Sequence, residues 1–516
     1  MGIVKAQAYK NTIVSYAGMV IAYVNTVLLF TKCLSISEYG FYTLITSISV
    51  LYSLAASMGV PSILAKYFPA YRTDDKKHSG FMHWSAGLAL VGFAIASILF
   101  VAFKPVILSY FNDTAHHIAQ AGKFKKPDAV RDTPYLVEYY YYLIPLSFFV
   151  LAFNYLEMTG RIIYQTIYSN FLQNVLLRLI TSVVLLMMIA GWVNFDTFVL
   201  VYIGSNGLIS LLQLISIIAT KNFSYKLDST TLITVNKREI LGFGLFTMVS
   251  SSIYVLLQKV DSLMLSAMAG DGVQGVYSWY FNIAIVISVP AQALSRTTYA
   301  IVADAWKANN RQNIIEVYYK TSIIQMLIGC LLFIGIIINR ENLYAIVQTP
   351  EYVDPKYFDL FLVIGLGFLV DITGGLNTYI ITTSHKYRLI TALTIFAAIF
   401  CIGLNYMLIP KYLGMGAAIA YLLTTVFINL CTWFYLKLRF KMQPFSYKHL
   451  LVVFIAIAGW AVGKYFWRIP NVFLDIAVRS GVTTLCYGLL AYYCQISIDI
   501  NDKVDATLKK MLAFIR

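Results

Sequence analysis

Long apolar stretches recur along this chain, and short polar segments separate them. A helix that crosses a membrane needs about 20 mainly apolar residues, and by this measure the pattern predicts about fourteen spanning helices. An even number of spans puts both termini on the same side of the membrane. The predicted spans lie near residues 11–32, 40–62, 82–103, 135–157, 166–190, 195–219, 240–264, 273–295, 318–338, 358–382, 387–409, 413–436, 447–467 and 473–496.

The chain also shows signs of internal duplication. The sequence SEYGFY at 37–42 opens the second predicted helix, QGVY at 274–277 opens the eighth, and a proline follows in each, at Pro61 and Pro290. We therefore predict an all-α polytopic membrane protein with two pseudo-symmetric six-helix lobes and a C-terminal helix pair. The predicted parts are an N-terminal lobe at 1–220, a C-terminal lobe at 238–437, the helix pair at 447–496 and a cytoplasmic tail at 497–516.

Composition supports the membrane assignment. The 516 residues are 59% hydrophobic and 12% charged, with a mean hydropathy of +0.71. A soluble protein has roughly 25% charged residues, so this chain cannot hide its apolar surface in water.

The net charge of +15 has its plainest explanation in the loops. With both termini inside, Lys and Arg on the inner side outnumber those outside by about two to one, as the positive-inside rule requires. The prediction is a multi-pass protein of a bacterial inner membrane with cytoplasmic termini, and no nucleic-acid partner.

Little in the sequence indicates chemistry on a bound group. The six cysteines form no CxxC pair, the six histidines are scattered, and no Walker-type glycine loop is present. We therefore predict no disulfide framework, no metal site, no cofactor and no enzymatic activity.

The seventh helix carries a polar stripe. Its members are spaced by three or four residues, which places them on one helix face; they are Thr247, Ser251, Tyr254, Gln258 and Asp261. Lys259 is two residues from Asp261, and such neighbours do not face each other on a helix. Each therefore needs water, cargo or another helix as its partner.

Five other helices carry polar or charged residues within or at the end of the predicted spans. An ionisable or polar side chain in hydrocarbon is costly, so each is a candidate for function. In the fifth helix Asn170, Asn174 and Arg178 line either a water-filled cavity or an interhelical hydrogen-bonded contact. The other candidates are Ser288, Gln292 and Arg296 in the eighth helix, Asp371 before the Thr373-Gly374-Gly375 weak point of the tenth, Lys32 in the first and Glu157 in the fourth. For Lys32, Glu157 and Arg296 the alternative is snorkelling to the headgroups from a helix end.

Three local patterns together resemble one family. The stretch 404–420, LNYMLIPKYLGMGAAIA, is similar to the Asn…Ile-Pro…Gly-x-x-Gly-Ala-Ala signature of polysaccharide-biosynthesis flippases, with Gly414 and Gly416 one residue closer than usual. The element at 37–42 resembles the family's Glu-Tyr-Gly-x-Tyr element. Asp261 followed by Gly275-Val276-Tyr277 resembles its seventh-to-eighth helix hairpin.

This family is part of the multidrug/oligosaccharidyl-lipid/polysaccharide exporter superfamily. The resemblance implies two six-helix lobes in a V that opens alternately to either side, and a cargo of polyprenyl-diphosphate-linked oligosaccharide for surface polysaccharide synthesis. Such a cargo requires cations for the diphosphate, for which Arg178, Lys259, Arg296 and Lys32 are candidates, with Asn174, Gln258 and Gln292 as polar cavity residues. Asp261, Asp371 or Glu157 would exchange H⁺ or Na⁺. A polysaccharide polymerase and glycosyltransferases are the expected protein partners.

Two rival functions remain open at this stage. A multidrug/cation antiporter of the same superfamily would need an acidic cavity, whereas the deep charges here are at least as basic as acidic. A membrane-embedded glycan polymerase or acyltransferase would need clustered acid/base groups, which the scattered histidines do not provide.

Overall fold

The computed structural model describes residues 2–73, 80–111, 135–163, 165–219, 237–386, 388–499, 501–502 and 504–506, and within these it leaves out the side chains of 2–9, 293, 296 and 297. All regular secondary structure in the described part is helical. Thirteen described helices are long and apolar enough to span a membrane, and a bent pair supplies a fourteenth span, which confirms the predicted number.

We number these spans α1 to α14. They are α1 (Lys10–Cys33), α2 (Ile36–Ala56), α3 (Phe81–Ala102), α4 (Tyr140–Ile162), α5 (Thr166–Ile189), α6 (Phe195–Ala219), α7 (Lys237–Ala269), α8 (Asp271–Gln292), α9 (Arg311–Ile338), α10 (Pro355–Thr373 with Asn377–Thr383), α11 (Arg388–Tyr412), α12 (Gly414–Phe440), α13 (Tyr447–Tyr465) and α14 (Val472–Tyr493). Short helices at Arg340–Val347 and Pro350–Val353 lie between α9 and α10.

The predicted weak point of the tenth helix is real. The two segments of α10 meet at an angle of 43°, and Gly375 has a φ of +61°, which glycine adopts without strain. The Ser322 hydroxyl of α9 donates to the Thr373 carbonyl at 2.7 Å, and His449 of α13 contacts the same hydroxyl at 3.1 Å. A carbonyl freed by the break is thus satisfied by a neighbouring helix, as a membrane interior requires.

The glutamate of the SEYGFY element has a structural explanation. Ser35 is the N-cap of α2: its hydroxyl accepts from the Glu38 amide, and the Glu38 carboxylate accepts from the Ser35 amide at 2.8 Å. This capping box satisfies two backbone donors that a helix start leaves open.

The two glycines of the duplicated elements meet in the structure. A Cβ on Gly40 would overlap the carbonyl of Asp271 and lie 2.9 Å from the amide nitrogen of Gly275. A Cβ on Gly275 would in turn overlap the carbonyl of Ile36 and lie 3.1 Å from the Gly40 nitrogen. Only glycine allows two helix backbones to cross this closely. The reciprocity of the contact supports the predicted correspondence of the two elements.

Both α2 and α8 are interrupted near the prolines that follow the duplicated elements. Met58 and Gly59 have positive φ after α2, and a helix at Val60–Tyr71 follows with Pro61 in its first turn. In α8 a 3-10 segment at Ile285–Ser288 precedes helix Val289–Lys307, which has Pro290 in its first turn. Proline suits the first turn of a helix, because its missing N–H is not needed there.

The eleventh helix extends three residues beyond its predicted end at 409. Helix α11 continues through Pro410 to Tyr412, and Leu413, with a φ of +53°, separates it from α12. A proline removes one backbone donor, and near the last turn of a long helix this loss is small compared with the bonds that remain. The left-handed Leu413 therefore sets the boundary.

The chain groups into two compact units. Unit 1 comprises residues 1–279 and 405–414, and unit 2 comprises 280–404 and 415–516. Helix α7 and the first part of α8 belong to unit 1 in this grouping. The lobe boundaries expected from the sequence stay a prediction.

Candidate functional site

Helix α7 is open along most of its length. No residue between Gly244 and Val260 is buried, and the buried residues lie only near its two ends. Within this open stretch Tyr254 and Gln258 are exposed. An exposed amide in a spanning helix is costly against lipid, so Gln258 is a candidate for contact with water or cargo.

Lys259 is half-buried at the end of the open stretch, about 15 Å from the last residue of α7 at 1.5 Å per residue. Among the described residues no carboxylate or other acceptor bonds to its ammonium group. Lys259 is therefore a cationic side chain inside the span with no described protein acceptor. Its role in cargo binding stays a prediction.

Asp261 behaves differently from its neighbour. It is buried, and its carboxylate accepts a hydrogen bond from Asn405 Nδ2 of α11 at 2.6 Å and another from the Tyr277 hydroxyl of α8 at 3.3 Å. Two donors stabilise the charged carboxylate. The three side chains form a small oxygen-rich site, which we call the Asp261 cluster.

The partners of Asp261 were missed as functional residues by the sequence reasoning. Asn405 stands in the late family signature, Tyr277 stands in the element that opens α8, and neither was a candidate site residue. Both are polar side chains in largely apolar motifs, but Gln274 and Tyr406 give the same signal. The hydrogen bond between Asn405 and Asp261 could not be predicted from the sequence, since 144 residues separate them.

The polar stripe of α5 is hydrogen-bonded to α1. Asn170 Nδ2 donates to the Asn11 carbonyl and to the Ser15 hydroxyl, each at 3.0 Å, and Asn174 Nδ2 donates to Asn170 Oδ1 at 2.5 Å. At the start of α5, Asn11 Nδ2 donates to the Thr166 hydroxyl at 2.9 Å. We call this set of contacts the α1–α5 ladder.

Arg178 continues the α1–α5 ladder toward the other end of α5. Its Nη1 donates to the Gly18 carbonyl at 2.5 Å, and its own carbonyl accepts from Asn25 Nδ2 at 3.0 Å. The side chain is half-buried. Of the two alternatives for the fifth helix, the structure favours interhelical hydrogen bonding for Asn170 and Arg178; their role in cargo binding stays a prediction.

Both helices of the ladder contain a π-helical segment, at Asn25–Leu29 in α1 and at Leu172–Leu176 in α5. The backbones touch beside the second segment, because a Cβ on Gly18 would overlap the Asn174 carbonyl. A π segment is an irregularity that helices mostly retain at functional places. It also exposes backbone groups, which the ladder satisfies.

The polar residues of α8 lie just beyond its 3-10 segment. Gln292 is exposed, and its Nε2 donates to the Ser288 hydroxyl at 3.1 Å. The backbone of Arg296 belongs to helix Val289–Lys307, but its side chain is outside the described residues. Both candidates stay predictions.

Asp371 lies beside the break in α10. It is exposed, and its Oδ1 accepts from Asn429 Nδ2 of α12 at a long 3.4 Å. Asn429 Oδ1 in turn accepts from Asn377 Nδ2 at 3.4 Å, and Asn377 Oδ1 accepts from the Tyr318 hydroxyl of α9. A polar chain therefore surrounds the break, with Asp371 at its accessible end.

The two candidates at helix ends have ordinary surroundings. Lys32 is exposed in the last turn of α1. Glu157 is held by Arg161 of its own helix, with Nη2 and Nε at 2.5 Å and 3.0 Å from Oε1. An exposed pair one helical turn apart contributes only a few tenths of a kcal/mol. For both residues the snorkelling interpretation fits these positions.

No group of three histidine, cysteine, aspartate or glutamate side chains suited to a metal ion occurs among the described residues. The Asp261 cluster has one carboxylate, one amide and one phenol. Oxygen donors of this kind suit a proton or a hard monovalent cation better than a transition metal.

Comparison with known families now identifies the chain. The model of a family described as polysaccharide biosynthesis protein matches residues 5–299, more than half of the sequence. The chain belongs to this family. The model of a second family, MatE, matches residues 247–407, which include the larger part of α7 and the Asp261 cluster. No curated protein sequence matches the chain.

Solved structures show the same fold. A lipid II flippase, MurJ, in an inward closed conformation is 12% identical and superposes with a TM-score of 0.72 over 94% of this chain and 98% of its own. An inward-facing multidrug resistance MATE transporter is 16% identical and superposes with a TM-score of 0.61 over 82% of this chain and 94% of its own. A transporter from Pyrococcus furiosus is described as having a binding pocket of reverse polarity. It is 14% identical and superposes with a TM-score of 0.54 over 84% of this chain and 95% of its own.

The family and the fold agree with the resemblance found in the sequence. The chain is a multi-pass membrane protein of the polysaccharide biosynthesis family, and it has the fold of the flippase and multidrug transporter structures above. Flippases and multidrug transporters share this fold, so the cargo must be argued from the residues of this chain.

Proposed function

We propose that this protein is a flippase. It moves polyprenyl-diphosphate-linked oligosaccharide from the cytoplasmic to the outer leaflet of a bacterial inner membrane by alternating access. The product serves surface polysaccharide synthesis, with glycosyltransferases acting before the transport step and a polymerase after it. Both termini are cytoplasmic in this proposal. The chain carries no cofactor and performs no covalent chemistry.

Lys259 carries the proposal. It is a half-buried cation on the open stretch of α7, and no described acidic residue neutralises it. A diphosphate offers several anionic oxygens, and charge-assisted hydrogen bonds to a lysine are among the strong ones. The exposed Gln258 and Tyr254 on the same stretch offer a polar surface for sugar hydroxyls. The match to a lipid II flippase supports a lipid-linked cargo.

The Asp261 cluster is the proposed coupling site. It places a buried carboxylate two residues from Lys259 in sequence, with donors from α8 and α11. Because Asp261 belongs to α7, a change in its charge acts on the same helix that binds cargo. Uptake of H⁺ or Na⁺ would weaken its bonds to Asn405 and Tyr277 and so change the packing of the three helices.

The test is a flipping assay with the purified protein in lipid vesicles. Lipid-linked oligosaccharide is placed in one leaflet, and its appearance in the other is followed with a membrane-impermeant sugar oxidant. Protein-dependent flipping that disappears in Lys259→Gln supports the proposal. Flipping at the rate of protein-free vesicles would exclude it.

A cellular test examines the same proposal independently. Cells that lack the gene are expected to accumulate lipid-linked oligosaccharide on the cytoplasmic face of the inner membrane. Intact surface glycan without such accumulation would exclude the proposed cargo.

Cation antiport is the second candidate, and Asp371 is the observation that favours it. This carboxylate is exposed beside the α10 break, and its one described hydrogen bond is long. An accessible acid in a spanning helix is what a cationic cargo needs. Extrusion of a lipophilic cation that is lost in Asp371→Asn but kept in Lys259→Gln would select this function instead.

A further inference from the structure

Unit 2 contains an elongated apolar cavity of about 750 Å³ between α9, α10, α12 and α13. This volume is in the range of ligand-binding cavities, roughly 300–1,000 Å³. Its wall includes Cys330, Ile334 and Ala456, which also belong to the buried core between α9 and α13. The cavity is therefore part of the static packing of this unit.

Each end of the cavity has a tryptophan with a lysine stacked on it. Lys437 Nζ lies 4.7 Å from the ring centre of Trp433, and Lys464 Nζ lies 4.7 Å from that of Trp460. Both tryptophans line the cavity. Tryptophan and lysine are the residues that mark a membrane–water interface, so the cavity runs from one interface toward the other.

The two ends differ in charge. Around Trp433, the segment 437–448 contains four basic residues and no acidic one. At the Trp460 end the basic Arg468 is paired with Glu341. An anionic group is therefore attracted more strongly to the Trp433 end, which is the end predicted to be cytoplasmic.

An unused hydrogen-bond donor lies at this basic end. The indole nitrogen of Trp433 is buried and has no described acceptor. The polar side chains in the wall are Thr373, Asn377 and Asn429, which all lie near the α10 break, and no charged side chain lines the cavity. The wall therefore suits a hydrocarbon chain whose polar part begins near Trp433.

We propose that this cavity holds a resident anionic phospholipid of the bilayer. Its acyl chain fills the space between α9, α12 and α13, its phosphate meets Lys437, and an ester or phosphate oxygen accepts from the Trp433 indole. Basic pockets between spanning helices on the cytoplasmic side are typical sites for anionic headgroups. The lipid is a structural ligand, separate from the cargo proposed above.

A resident lipid explains the cavity better than a moving cargo does. The cavity shares its wall with a buried core, and close packing is the normal state of such a core. A cargo chain would have to leave and re-enter at every cycle, which would open that core each time. A glycan would also find only three polar side chains along the whole wall.

The test counts lipids bound to the full-length protein by native mass spectrometry. Delipidated protein is incubated with phosphatidylglycerol, phosphatidylcholine or polyprenyl diphosphate, and melting temperatures confirm that each variant is folded. The wild type is expected to retain one phosphatidylglycerol in preference to phosphatidylcholine. Lys437→Gln is expected to reduce this preference about fivefold. Trp433→Phe, which keeps an aromatic ring but removes the indole N–H, is expected to reduce it more than Lys437→Gln does.

Lys464→Gln is the matched control, because this lysine has the same distance to its tryptophan at the other end of the cavity. It is expected to leave the preference unchanged, while Val453→Phe, which narrows the cavity, lowers retention of both phospholipids. Three results would each overturn the proposal: no lipid retained by the wild type, an equal loss in Lys464→Gln, or displacement of phosphatidylglycerol by polyprenyl diphosphate. Displacement by polyprenyl diphosphate would assign the cavity to cargo. The flipping assay tests the proposed function separately, so its result does not depend on this outcome.

Discussion

The polar stripes of α5 and α7 have similar sequence patterns and opposite surroundings. Both carry polar side chains at helical spacing inside an apolar span, and a cation lies on the α5 stripe and next to the α7 stripe. On α5, Asn170 and Arg178 donate to α1 at 3.0 Å and 2.5 Å. On α7, Gln258 is exposed, and Lys259 has no described acceptor.

The difference lies in what stands opposite each stripe. Helix α1 approaches α5 so closely at Gly18 that no side chain fits between the backbones, and every ladder donor finds a protein acceptor. Helix α7 has no buried residue between Gly244 and Val260. We therefore expect the covered stripe of α5 to serve structure and the open stripe of α7 to serve binding. The following predictions test whether Lys259 serves cargo binding and Arg178 serves structure.

Replacing Lys259 by glutamine should have the largest effect on transport. The change removes one charge-assisted hydrogen bond to the anionic cargo, about 1.5–3 kcal/mol, which is a decrease of about 10-fold to 100-fold in the flipping rate. The melting temperature should stay within about one degree, because no protein partner loses a bond. Vesicle flipping and thermal unfolding of the same preparation measure both quantities.

Lys259→Arg is the control for this prediction, since it keeps the charge and should keep most of the activity. If Lys259→Gln instead lowered the melting temperature by many degrees with flipping intact per folded molecule, α7 would resemble α5, and the comparison would fail.

Asp261 is the residue of the α7 stripe that has protein partners, so it should act in coupling rather than in cargo binding. Asp261→Asn preserves the shape and can still accept from Asn405, but it removes the charge. Flipping should lose all stimulation by a Na⁺ or H⁺ gradient while its basal rate persists. Rates measured with and without each gradient decide this, and Asp371→Asn serves as the comparison variant. Unchanged stimulation in Asp261→Asn would remove Asp261 from the coupling site.

Much of the fold followed from local pattern. Span number came from apolar length, and the α10 break came from Thr373-Gly374-Gly375. The π segments at 25–29 and 172–176 were not predicted, because nothing in an apolar stretch distinguishes a π turn from an α turn. The end of α11 was missed because Leu413 adopts a left-handed conformation that leucine rarely takes.

The candidate site was only half predictable, for a different reason. Helical periodicity gives the direction of a side chain within its own helix, which placed Asp261 on the polar face. It does not show which residue of another helix lies opposite that side chain. Arg178 and Lys259 were therefore equal candidates by sequence, and only the position of α1 separates them.

Arg178→Gln should reduce stability more than it reduces transport. Loss of the guanidinium removes its charge-assisted hydrogen bond to the Gly18 carbonyl, which costs about 1.5–3 kcal/mol of unfolding free energy. A lower melting temperature with near-normal flipping per folded molecule is the expected result. Lys32→Gln, at the exposed end of α1, is the control and should change neither quantity. Normal melting with lost flipping would make Arg178 a cargo residue.

Asn170→Ala should have the smallest effect, and it tests the ladder without touching a charge. The change removes two bonds to α1 and one to Asn174, and interhelical polar contacts in membranes average about 0.6 kcal/mol each. The unfolding free energy should therefore fall by about 1–2 kcal/mol with unchanged flipping. Gln173→Ala, an exposed neighbour on the same helix, should be neutral. Because the ladder is a sum of such small terms, combining Asn170→Ala with Arg178→Gln should lower stability by more than either change alone, whereas Lys259→Gln added to either should change only the flipping rate.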